Sequence, residues 1–224
     1  MRRLHSLGLV CAASAISAIT TRSALPFVLG RCHQPFVGAA HLRLTRAVCS
    51  EPEPEVEPTP FAELDVRVGK ILEAWEHPDS DKLWCERIDV GEAEPREIAS
   101  GLRSYYATAE ELTGRSVLVV CNLKPAKLAG FASDGMVLCA SNADRSTVAF
   151  VEPPLDSVPG DRVLCEGLEA VPPASANRVK KKKLMEKAAE ELKTVGTIAT
   201  YKGMPLRTAA GVCKSPSVET GTIS

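Results

Sequence analysis

Histidine is the scarcest chemically useful residue in this chain of 224: there are four, and three of them, His5, His33 and His41, lie in the first 50 positions. His77 alone serves the rest. A Ser-His-Asp site therefore has one candidate base, and a His-rich zinc site has no ligand set. There is no CxxC pair, no P-loop and no GxGxxG. No apolar run reaches the ~18–20 residues of a membrane-spanning helix. The expectation is a chain that is not an enzyme and carries no metal and no cofactor.

Acid is missing from the first 50 residues, which hold six Arg, no Lys and no Asp or Glu. Residues 51–224 then carry 21 Lys+Arg against 28 Asp+Glu, a net charge of -7. A polyanion site in that part must be a local basic patch and not a general coat of charge. Five of the eight cysteines, Cys85, Cys121, Cys139, Cys165 and Cys213, fall after the first 50 residues, widely spaced and mostly in apolar runs. That pattern reads as buried reduced thiols rather than a disulfide framework.

The length fits one domain or two small ones. Residues 1–50 read as a targeting leader. Arg2 and Arg3 precede a small-residue apolar stretch from Leu7 to Ile19, followed by an acid-free, Arg- and Ser-containing region. A plastid reached through the secretory route and a mitochondrion both fit, as does a tail with no address. Residues 51–60 (EPEPEVEPTP) hold four Glu and four Pro, a solvated extended linker.

From Phe61 the pattern is β. Leu64, Val66 and Val68 alternate with Asp65 and Arg67, and the phase breaks at Gly69-Lys70, where a β-bulge is expected. Further strands are expected at Lys82–Val90, Arg96–Ser100, Ser116–Cys121, Met136–Ala140 and Thr147–Val151. Thr108–Glu111 has capping-box spacing for a short helix. Five or more short strands with one helix between the third and fourth give the element order of an OB-fold barrel, placed at 61–165. After Pro172-Pro173 a helix is expected over Arg178–Lys193, capped by Asn177, with Met185, Ala188, Ala189 and Leu192 on one face. Short strands at Thr197–Lys202 and Gly211–Lys214 follow. The whole is an all-β protein, a five-stranded OB-fold barrel with a short helix, plus a small α+β extension over 166–224.

Three segments could carry chemistry. In Asn122–Leu128, Pro125 blocks a helix, so a loop holds Lys124 and Lys127 close together, suited to phosphate. Ser133-Asp134-Gly135-Met136 is a turn whose hydroxyl could bond phosphate or a 2′-OH. Arg178 with Lys180, Lys181, Lys182 and Lys183 puts five cations in six positions at the expected helix start, where they oppose the macrodipole. On an acidic chain that favours an RNA contact over a merely solvated face. His77–Lys82 reads as a polar Asx-type hairpin turn rather than a metal site. Aromatics are only 4% of the chain, with Trp75, Trp84, Tyr105, Tyr106 and Phe131 as stacking candidates and several of them expected in the core. That favours recognition of a folded RNA by backbone and shape.

LDVRVGKI (64–71), HPDSDKL (77–83), ASGL (99–102), CNLKPAKLAG (121–130), SDGMVLCAS (133–141) and SVPGDRV (157–163), in this order, closely resemble the tRNA-binding domain of the methionyl- and tyrosyl-tRNA synthetase C-terminal appendages and of the endothelial monocyte-activating polypeptide II group. NRVKKKKLMEK (177–187), TYKGMP (200–205) and GVCKS (211–215) resemble the extra C-terminal domain of the polypeptide II group. The resemblance implies an OB-fold that binds tRNA with little sequence preference. It implies that the extra domain stands in for a second subunit, so a monomer is expected. It carries an RNA-binding role onto Asn122, Lys124, Lys127, Ser133 and Met136. Asp134 departs from the pattern, since many relatives carry an uncharged residue there and an acid weakens phosphate contact. A non-enzymatic tRNA-binding accessory factor for an aminoacyl-tRNA synthetase follows. The alternatives are a protein-binding chaperone module and a secreted signalling polypeptide. Activity of the latter kind is placed in relatives at residues matching Arg67–Glu73, which here read as an ordinary first strand.

Overall fold

Alternating apolar residues carry the chain into one long strand, β1 (Val66–Glu76), which serves two neighbours. In the computed structural model, which describes residues 57–224, its first half pairs with β4 (Ser116–Val120) and its second half with β2 (Trp84–Asp89). The expected leader and most of the linker lie outside the described residues. The bulge in β1 is not at Gly69: the register shifts between Ile71 and Glu73, and Leu72 is turned outward. Gly69 has a different reason. A Cβ there would come within 2.7 Å of Ile88 Cγ2 and 2.9 Å of Val119 Cγ2, so glycine lets the two neighbouring strands close over it.

β3 (Arg96–Ser100) pairs with β2, and one 3-10 turn, Ala109–Glu111, leads to β4. Glu111 accepts from the Ala107 N–H, while the Thr108 side chain makes no capping bond. Next come β5 (Ala126–Leu128), β6 (Phe131–Ser133), β7 (Met136–Val137), β8 (Cys139–Ser141) and β9 (Val148–Phe150). The barrel sheet runs β3-β2-β1-β4-β7. Its ends are drawn together where the Asp134 N–H donates to the Glu97 carbonyl at 2.9 Å. The apolar run at 136–140 is broken at Leu138, whose N–H donates to Leu118, so β7 stays in the barrel sheet and β8 joins a second sheet.

The extension supplies β10 (Leu164–Cys165), α1 (Ala176–Lys182), α2 (Leu184–Glu191), β11 (Leu192–Val195), β12 (Ile198–Tyr201), β13 (Met204–Thr208), β14 (Gly211–Val212) and β15 (Thr220–Ile223). The single helix expected at 178–193 is two. Lys183 takes a left-handed conformation (φ 51°) between them, and Leu192 already begins a strand. The cap is Ser175, which accepts from the Arg178 N–H, and not Asn177. β15 pairs with β8, so extension and barrel share one sheet. That junction needs a glycine, because a Cβ on Gly221 would overlap the Ser141 carbonyl. They share one core as well: Phe61, Val66 and Leu118 lie in one cluster with Leu184, Leu192 and Ile223, and Phe61 stacks on Tyr201 at 5.2 Å.

All five described cysteines are free and buried. Burial pushes the thiols of Cys121 and Cys165 up to about 11 and that of Cys213 to about 12, which keeps them protonated and unreactive at neutral pH. One carboxyl is also inside the barrel. Glu86 has no exposure; one of its oxygens accepts from the Ser100 hydroxyl and the other has no partner. Burial drives its pKa up to about 7.

Candidate nucleic-acid interface

Asn122 ends the run that follows β4, and its amide is fully engaged inside the fold. Its oxygen accepts from the Asp65 N–H at 2.9 Å, and its nitrogen donates to the carbonyls of Glu63 and Ala174, each at 3.0 Å. The expected role as a free hydrogen-bonding group is corrected accordingly: Asn122 is a clamp that ties the barrel's first strand to the chain entering α1. Ser133 is corrected in the same way. It is buried, accepts from the Ala99 N–H at 3.1 Å and donates to the Gly135 carbonyl at 3.1 Å. Both residues shape the loop; neither offers a free group to a ligand.

Between these anchors the chain projects a hairpin rather than a plain loop. β5 and β6 pair in register, and their turn places Ala129 (φ 47°) and Gly130 (φ 93°) both at positive φ, the geometry of a type I′ hairpin. Lys124 precedes the hairpin and Lys127 lies on β5; both are exposed. His77 fixes the hairpin to the turn between β1 and β2. Its Nδ1 accepts from the Asp79 N–H at 3.0 Å, which leaves Nε2 to donate to the Leu128 carbonyl at 3.2 Å. That turn is closed by the imidazole rather than by an Asx side chain. Phe131 packs edge-on against both Trp75 and His77. Of the five stacking candidates Trp84 and Tyr106 are core residues, Trp75 and Phe131 are half-buried, and Tyr105 is exposed.

A groove of about 440 Å³ separates this loop from the two helices; Leu123, Lys124, Pro125, Val179, Lys180 and one acid, Glu186, are among the residues lining it. The fold thus brings one lysine of the loop and one of the basic run, 56 positions apart in sequence, to a single groove. Met136 packs half-buried at the start of β7 and lines a different cleft. Lys180, Lys181, Lys182 and Lys183 are all exposed. Because α1 begins at Ala176, Lys180–Lys182 sit in its last turn, where cations favour the macrodipole. The expected conflict with the dipole is reversed, so the macrodipole argument for an RNA contact falls away. Arg178 is exposed, and its guanidinium makes a bidentate pair with Glu63 (2.8 Å for Nη2), which holds the Glu63 carboxyl below the usual range and anchors α1 to the barrel; Nη1 has no hydrogen-bond partner among the described residues. The ion pairs among the described residues all use arginine. The lysines of loop and helix keep their charge for a partner.

The opposite flank of the loop is mixed in charge: Glu92, Glu94, Asp134 and Arg96 line a groove with Leu123 and Pro125, and Glu92 is paired with Arg96 and Arg67. Sequence reasoning did not find Glu92 and Glu94 because they lie on another turn of the barrel, far from 122–136 in the chain.

Barrel order and the exposed basic loop define an OB-fold protein with a local cationic surface. Residues 66–162 match the family model described as "Putative tRNA binding domain". The chain is 46% identical over 164 residues to the cytoplasmic methionine–tRNA ligase of Arabidopsis thaliana, covering 73% of this chain and 20% of that protein. It is 40% identical over 164 residues to aminoacyl tRNA synthase complex-interacting multifunctional protein 1 of Mus musculus, covering 72% of this chain and 51% of that protein. The crystal structure of the C-terminal domain of Plasmodium vivax p43 superposes with a TM-score of 0.68 at 34% identity, covering 73% of this chain and 98% of that one. The chain belongs to the tRNA-binding domain family, and its likeness to the Plasmodium vivax structure covers more of the chain than the matched domain does. It spans from about a fifth to about half the length of these curated relatives.

Proposed function

We propose that this chain is a non-enzymatic accessory factor that binds the tRNA body largely without regard to sequence and holds it for an aminoacyl-tRNA synthetase. The observation that carries the reading is the groove shared by Lys124 and Lys180 in a chain whose residues 51–224 are net acidic. The named relatives, a methionine–tRNA ligase and a synthetase-complex protein, support the choice of tRNA and of a synthetase as partners. Holding tRNA beside a synthetase raises its effective concentration with no new catalytic group. The pairing of β15 with β8 covers a strand edge that a second subunit could otherwise take, which supports a monomer. The test is a titration of mixed tRNA between about 50 and 200 mM salt, with light scattering on the same sample. Submicromolar binding by a monomer at the low end is expected. Changing Lys124 and Lys127 together to Ala should flatten the slope of log K against log salt by about one to two. Absence of binding at low salt overturns the reading.

An organellar address is proposed from residues 1–50, acid-free and Arg-bearing as plastid and mitochondrial leaders are. A fluorescent protein fused behind residues 1–60 should enter a plastid or mitochondrion; an uncleaved, diffuse cytosolic product counts against it.

A further inference from the structure

A second cleft, of about 400 Å³, lies on the other side of the hairpin from the lysine groove. It falls within the ~300–1,000 Å³ range of small-molecule sites. Tyr105, Leu128 and Arg145 stand at its rim, exposed, with Gly101 beside them; Met136 and Ser141 line it further in, and Ser224, its backbone paired with that of Cys139, lines it as well. Tyr105 is not a free surface side chain. Its hydroxyl donates to the Arg145 carbonyl at 3.0 Å, which fixes the ring across the cleft mouth. Arg145 is itself held in a left-handed conformation (φ 56°) by a loop in which the Ser146 N–H donates to Asp144. Among the described residues its guanidinium has no carboxylate partner, whereas most arginines of the barrel do. Lys127 adjoins Leu128 on β5.

A fixed aromatic face, an aliphatic face and an unpaired cation around a cleft of this size suit one chemistry: a flat ring joined to a phosphate. We propose that the cleft takes a single unstacked nucleotide of the bound tRNA, its base between Tyr105 and Leu128 and its phosphate on Arg145. The proposal rests on the tRNA-binding reading above and adds a base contact to it. The cleft is sequence-tolerant. The Ser100 hydroxyl is engaged by Glu86 and that of Ser141 lies within bonding distance of Thr222, so these hydroxyls are not free to read a base edge. Every base offers a ring face to stack.

Gly101 provides a clean probe. A Cβ there meets nothing within 4 Å and its φ is not positive, so a larger side chain can grow into the cleft mouth without backbone strain. In the full chain, Gly101→Leu should weaken tRNA binding about 5- to 100-fold, the range for losing one stacked base. The salt slope should flatten by about one at most, since excluding the base also frees its phosphate from Arg145. Tyr105→Ala should weaken binding to a similar degree, and Tyr105→Phe, which keeps the ring and loses the bond that fixes it, should fall between the parent and Tyr105→Ala. Arg145→Ala should flatten the slope by about one. Thermal unfolding of each variant reports folding, and the Tyr105→Ala and Tyr105→Phe pair decides the matter if Gly101→Leu melts early. Parent-like tRNA binding by folded Gly101→Leu and Tyr105→Ala overturns the nucleotide cleft and leaves the tRNA-binding reading intact. A parent chain that binds no tRNA overturns that reading before any variant is compared.

Discussion

Replacing Lys180–Lys183 by Ala should weaken binding of many tRNAs alike and flatten the slope of log K against log salt by about two to three. Each phosphate contact contributes about 0.7 to 0.9 to that slope. α1 buries Val179, so the lysines that follow it spread around the solvent side of the last turn, and Lys180 turns into the groove beside Lys124. Four exposed lysines spread around about one helical turn cannot all meet one RNA backbone, so the expected change corresponds to about three contacts and not four. The loss should be the same for different tRNA species, because phosphate contacts carry little sequence information. Arg178→Ala should behave differently. It removes the anchor to Glu63 and should lower thermal stability more than it alters the salt slope. Unaltered affinity and slope in the four-lysine variant would mean that RNA does not cross this face.

Glu86→Gln should remove most of the pH dependence of stability between about pH 5 and 8. The folded-state pKa of Glu86, about 7, lies above the ordinary 4.5. A group raised in this way contributes its full stability below the unfolded value and loses it as pH rises through the folded value. The separation corresponds to about 3 kcal/mol at pH 8. The physical cause is burial: ionisation puts a charge in the barrel interior with a single hydroxyl bond and one oxygen unpartnered. Glutamine keeps the acceptor for Ser100 and cannot ionise. The parent should therefore be destabilised on going from pH 5 to pH 8 while the variant changes little, and at pH 8 the variant should be the more stable of the two. Glu63 and Glu92, whose carboxyls are held low by hydrogen bonds from Arg178 and Arg96, act with the opposite sign. Their contribution is present above about pH 4.5 and lost in acid, outside this window. Urea unfolding at several pH values measures both arms, and parallel pH profiles for parent and variant would show that Glu86 is not the titrating group.

The barrel was legible in the sequence because its strands carry their own pattern. Val66 and Val68 alternate with polar neighbours, Ser116–Val120 is a buried-strand run, and both lie where the pattern puts them. β13, β15 and the pairing of β15 with β8 were not legible. Met204–Thr208 contains a proline, and Thr220–Ile223 is short and mostly polar; each is a strand because a neighbour supplies its hydrogen bonds. The helix break at Lys183 was hidden as well, since a run of lysines has high helical propensity and only packing of Leu184 and Leu192 into the shared core turns the chain there.

At the site, residue chemistry alone picked out Lys124, Lys127 and Lys180–Lys183, because clustered cations on an acidic chain need no tertiary information to be noticed. It could not separate them from Asn122, Ser133 and Arg178, whose polar atoms are as suited to phosphate as to backbone. Only the fold decides that Asn122 and Ser133 face inward partners, on Asp65 and Ala99, and that the exposed Arg178 is paired with Glu63, each partner 30 or more positions away in the chain. The sequence by itself determined which charges this protein owns and which strands can bury a face. The tertiary structure decided which polar groups remain free, because a hydrogen bond between residues distant in the chain leaves no periodic trace in the order of the amino acids.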